Sequence, residues 1–129
     1  MITKKEICDI LKKKLPKEIT ILPNRIPNNK EKTISVNDSN LDDTLSFRGS
    51  KITFNKKSFS LIIRYNTNET ETENFCNELY TIIKDIKDEE INNKNKWLYT
   101  LKIIEPKATG NVKNNIYEQK IEFSIIYSL

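Results

Sequence analysis

The chain has 129 residues, with 22 Lys and Arg against 18 Asp and Glu, a net charge of +4, a pI near 9.0 and a mean hydropathy of -0.62. That length suits one domain, 1–129, with a core of its own, and there is no run of about 18 apolar residues to cross a membrane. The absence of histidine removes Ser-His-Asp and Cys-His catalysis, and two cysteines cannot complete a four-ligand zinc site.

Thr3-Lys4-Lys5-Glu6 reads as a capping box. Ile7, Ile10, Leu11 and Leu15 then recur at helical spacing until Pro16 ends the helix. This segment lacks the uninterrupted apolar stretch of a signal peptide, so residence in the cytoplasm is expected. Glu18–Leu22 and Thr33–Val36 read as short strands, separated by a polar loop from Pro23 to Lys32. A hairpin is predicted over Leu45–Phe54, with a type II′ turn at Gly49-Ser50 that sets Phe47 opposite Ile52 and Leu45 opposite Phe54. A second turn at Asn55–Lys57 leads into a strand, Ser58–Tyr65, with Phe59, Leu61, Ile63 and Tyr65 on one face.

Thr70-Glu71-Thr72-Glu73 repeats the capping-box pattern, and Phe75, Cys76, Leu79, Ile82, Ile83 and Ile86 make one apolar stripe behind it. The polar run Asp88–Lys96 reads as a loop. Trp97–Ile104 and Ile116–Tyr127 alternate as strands around a second loop, Glu105–Asn115. The expected fold class is α+β: an antiparallel sheet with two main helices packed on one face.

Chemistry-bearing groups do not converge. Glu69, Glu71, Glu73 and Glu78 suit the positive end of a helix dipole better than a metal site. With only Gly49 and Gly110, no phosphate-cradling loop is available. Lys12-Lys13-Lys14 and Lys56-Lys57 lie where solvated lysine is ordinary. Arginine, the residue suited to bidentate base contacts, occurs only as Arg25, Arg48 and Arg64. Cys8 and Cys76 fall on apolar helix faces and are expected to be reduced core thiols. No catalytic, cofactor-binding or metal-binding residue is assigned, and the chain is expected not to be an enzyme.

The second half carries a recognisable layout. Ile62-Ile63-Arg64-Tyr65-Asn66-Thr67-Asn68 ends a strand in an arginine and a polar turn, and the helix with Phe75, Leu79 and Ile82-Ile83 follows. Then come a strand, the loop Glu105-Pro106-Lys107-Ala108-Thr109-Gly110, and a last strand with Ile116-Tyr117-Glu118 and Phe123-Ser124-Ile125-Ile126-Tyr127. This resembles the minor capsid or tail terminator proteins of phages of low-GC Gram-positive hosts, and by extension those of phage tail-like bacteriocins.

The resemblance implies a structural protein, a hexameric ring on the head-proximal end of the tail tube that ends tube growth and allows head joining. It implies as partners other copies of the chain, the tail-tube protein, and a head–tail connector or sheath protein. It implies neither a membrane nor nucleic acid as partner, apart from DNA passing through the ring. Work would begin in the host cytoplasm and end in the virion or tail-like particle. Within that frame the interface candidates are Arg25, Lys30 and Lys32 in the first loop and Lys107 and Lys113 in the last. The competing reading is a small non-enzymatic regulator or immunity-type inhibitor acting as monomer or dimer.

Overall fold

A computed structural model describes residues 2–24, 30–41, 54–113 and 115–129. In chain order the elements are α1 (Lys4–Lys14), β1 (Thr20–Pro23), β2 (Thr33–Asp38), β3 (Phe54–Arg64), α2 (Glu69–Lys84), β4 (Lys87–Glu90), β5 (Lys96–Ile103), β6 (Lys107–Lys113) and β7 (Ile116–Ser128).

The helices start and stop for local reasons. Thr3 caps α1 by accepting the Glu6 N–H, and the Glu6 carboxylate accepts the Thr3 N–H at 2.9 Å, so the capping box forms as expected. The chain leaves the helix at Leu15, whose extended backbone precedes Pro16. The α2 cap is Asn68, two residues earlier than the Thr70 box would place it. Its Oδ1 accepts the Glu71 N–H at 3.0 Å, while Thr72 turns inward and donates to the Asn68 carbonyl at 2.9 Å.

The sheet departs from the expected antiparallel sheet with two main helices packed on one face. Among the described residues seven strands outnumber two helices, the sheet is mixed, and it curls into a half-barrel. Its order is β1-β2-β3-β7-β5-β4, with β6 also on β7. β1 and β2 run parallel, Thr20 N–H donating to the Lys32 carbonyl and Asn24 N–H to the Val36 carbonyl, both at 2.9 Å. The curl has a visible cause in the other half. Register shifts between Trp97 and Tyr99, between Thr100 and Lys102 and between Ala108 and Val112 put extra residues on the β5–β6 side of β7. Bulges of this kind bend the strand and increase its twist. They also break the expected alternation, so that Trp97 is fully buried while Tyr99 is 42% exposed.

Three loop assignments are corrected. The turn expected at Asn55–Lys57 is continuous strand: Lys56 and Lys57 pair with Ile126 and Ile125 of β7. Lys57 keeps its charge satisfied by spanning the Phe59 ring, 5.5 Å from its centroid, to reach the Ile2 carbonyl at 2.9 Å. The polar runs after α2 and after β5 hold β4 and β6; β4 is a charged edge strand and β6 begins with exposed residues, so neither shows an alternating pattern. The Gly49-Ser50 turn lies outside the described residues.

A single apolar core joins both helices to β1, β2, β3, β5 and β7. Its centre is aromatic: Phe123 stacks on Trp97, centroids 5.7 Å apart, and meets Phe59 at 5.8 Å. Within it α1 packs on β1 and β2, and α2 on β5 and β7. The α1 side is tied back to the far end of the sheet by Lys14–Glu89 at 3.4 Å and by Asn92, which donates to Glu6 at 2.6 Å. Burial opposes ionisation of Glu6, but the hydrogen bonds from Asn92 and Thr3 outweigh it and hold the carboxyl below its ordinary pKa. Both outer edges are short: β1 ends in Pro23, and β4 carries Asp88 at φ 51° within its charged Lys87–Glu90 run.

Cys8 and Cys76 are buried free thiols, as expected, and burial pushes Cys76 up to about 12 and raises Cys8 as well. A thiol reagent at neutral pH is therefore expected to leave both unmodified in the folded chain and to titrate both in denaturant without reductant. Fast reaction of either in the native state would place it outside the core.

Candidate interaction surfaces

The face of β2, β3 and β7 turned away from the helices takes the even-numbered positions of β3 and β7, and from Ser58 to Arg64 and from Glu118 to Ser124 those positions are polar except Ile62. Cross-strand register sets Ser58 opposite Ser124, Ser60 opposite Glu122, Ile62 opposite Lys120 and Arg64 opposite Glu118. The Ser58 and Ser124 hydroxyls are hydrogen-bonded at 2.8 Å. The small serines leave a groove of about 510 Å³, floored by Ser35 and Ser60 and walled by Asn24, Asn37, Asn40 and Lys120.

Charges around this groove are compensated. Arg64 Nε donates to Glu118 Oε2 at 2.8 Å, with the side chains only 13% and 6% exposed. Thr109 of β6 donates to the other Glu118 oxygen at 2.7 Å. Arg64 Nη1 is buried without a hydrogen-bond partner among the described residues. Nearby, Lys120 pairs with Glu122 at 3.3 Å, and the Ser39 hydroxyl donates to Glu122 at 2.9 Å. The lining offers hydroxyl and amide groups with little net charge, which suits recognition by hydrogen bonding. Among the described residues no group of three or more His, Cys, Asp or Glu is placed to hold a metal ion.

The predicted interface residues are only partly brought together. Arg25 lies outside the described residues. Lys30 is exposed ahead of β2. Lys32 takes a left-handed backbone, φ 51°, with its N–H on the Tyr65 carbonyl at 2.7 Å. Its ammonium lies 3.5 Å from Glu18 and 5.9 Å from the Tyr65 ring centroid. Lys107 is exposed at the start of β6 opposite Lys120, and Lys113 ends that strand opposite Ile116. Thr33, next to Lys32, is level with Arg64 and Glu118, whereas Lys107 is level with Lys120, Ile62 and Ser35, so Lys32 and Lys107 do not form one cluster.

Sequence reasoning missed the groove and the Arg64–Glu118 pair. The available signal was the run of polar residues at positions 58, 60, 118, 122 and 124, which reads as solvated until the register shows that they adjoin. No helix of the described residues is long and apolar enough to cross a membrane. No protein-family model, curated protein or solved structure matches the chain.

Proposed function

We propose that this chain is an assembly subunit of the tail-terminator kind, acting by binding and not by catalysis. In this reading it joins other copies of itself in a ring on the head-proximal end of a tail tube, stops growth there and presents a surface for head joining. The observation that carries the reading is the succession from β3 to β7. A strand closes on Arg64, a polar turn leads into α2, and the long strands β5 and β7 follow as in the layout that the resemblance rests on, with β4 and β6 as additions to it. The groove across β2, β3 and β7 supports it further, since its hydroxyls, amides and paired charges suit contact with another protein's polar side chains. Its partners are then copies of itself, the tail-tube protein, and a connector or sheath protein. Its place is the host cytoplasm during assembly and the particle afterwards.

The test is to add the purified chain to polymerising tail-tube subunits and measure tube lengths by electron microscopy. Tubes are expected to become shorter as the chain is added, with density capping one end only. Unchanged tube lengths with both ends bare would remove the reading and favour the small-inhibitor alternative.

A further inference from the structure

A notch of about 320 Å³ opens where α1 hands over to β1, its walls formed by Pro16, Ile19 and Leu22 and its rim by Lys12 and Lys17. Neither lysine forms an ion pair with the described residues, and both are exposed. The outer side of α2 has the opposite character. Glu71, Asn74, Glu78, Ile82 and Asp85 follow at steps of three and four and so form one stripe. In it Ile82 packs against the edge of the chain's own core and leaves part of its side chain exposed between Glu78 and Asp85, and neither carboxylate forms an ion pair with the described residues. Within one chain these surfaces serve different strands, α1 on β1 and β2 and α2 on β5 and β7.

We propose that the notch receives α2 of a second copy, Ile82 entering between Pro16, Ile19 and Leu22 while Glu78 and Asp85 face Lys12 and Lys17. This deepens the assembly reading and rests on it. A basic rim around an apolar notch is the complement of an acidic stripe around an apolar side chain. The arrangement joins unlike surfaces, the kind of contact that closes rings. Exposed ion pairs steer and select more than they bind, so the contact is weak in dilute solution and sensitive to salt.

Charge exchange tests it. One variant carries Lys12→Glu and Lys17→Glu, the other Glu78→Lys and Asp85→Lys; a control carries Lys94→Glu and Lys96→Glu. Self-association is measured by sedimentation at low and high salt, with folding checked by circular dichroism. The wild type and the control are expected to associate at low salt and to dissociate as salt rises. Each charge variant alone is expected to associate at least about a hundredfold more weakly, from like charges facing each other. An equimolar mixture of the two restores association, because each then presents what the other lacks.

A wild type that stays monomeric at low salt, variants that associate like it, or a mixture that restores nothing would each overturn the proposal. Tube capping separates the two ideas. Variants that associate and cap like the wild type sink this interface and leave the terminator reading standing. A wild type that never caps, with association still exchanged as described, sinks the terminator reading alone.

Discussion

Phe123→Ala is expected to destabilise the chain by about 3–5 kcal/mol. Phe123 is fully buried in β7, and its ring lies within 6° of parallel to Trp97 while also meeting Phe59. It therefore links β5 to β3 through the core, and truncation empties the space where those two strands share a neighbour. A domain of this size has about 5–15 kcal/mol in all, so the variant retains part of its stability at best. Urea unfolding should show a lower midpoint with an unchanged slope. Phe123→Leu, closer in volume, should recover most of the loss. A cost for the alanine variant below about 1 kcal/mol would show that the aromatic centre is not where the core is held.

Glu118→Ala is the second large effect, about 3–5 kcal/mol, and for a different reason. Here the loss comes from the partner left behind: the Arg64 guanidinium, 13% exposed beside Glu118, would lose the acceptor of its Nε, and its Nη1 already has no hydrogen-bond partner among the described residues. Thr109 would lose the carboxylate oxygen that it donates to. Replacing both charges, Arg64→Met with Glu118→Leu, should cost much less than Glu118→Ala alone, since it removes the stranded charge. The comparison is a double-mutant cycle read by chemical denaturation. A single-variant cost under about 1 kcal/mol, or a double variant that is the worse of the two, would show that the pair is not the buried unit described.

The helices were the most legible part of the fold. The Thr3–Glu6 box and the Phe75–Ile83 stripe each carry their signal in consecutive residues, and capping and periodicity are local physics. β3 and β7 were legible through alternation, because one face of each meets the core: Phe59, Leu61 and Ile63 on one, Ile121, Phe123 and Ile125 on the other. β4 was not, because Lys87–Glu90 lies at an edge with no buried apolar residue to mark a period. Nor was the curl, which arises from register shifts along β5 and β6 that exist only relative to β7. The groove failed for the same reason: Ser60 and Lys120 are far apart in sequence and adjoin only once β3 and β7 are paired. Of the interface candidates, Lys32 already has Glu18 and Tyr65 as neighbours, a reminder that a loop position does not make a lysine free.

The placement of β7 has a consequence for how the chain acquires its structure. It is the last of the described strands, yet it sits between β3 on one side and β5 and β6 on the other. A polypeptide emerging from the ribosome amino end first can form α1 and α2 early, and can pair β1, β2 and β3 into one fragment and β4 with β5 into another. These fragments share no strand until residues 116–128 arrive. The long-range pairings that join them carry the entropic cost of closing large loops. Until then the inner edges of β3 and β5 are the unprotected ones, whereas the short outer edges are guarded by Pro23 and by the charged β4. Misassociation during synthesis is thus concentrated in the interval before β7 pairs with β3 and β5.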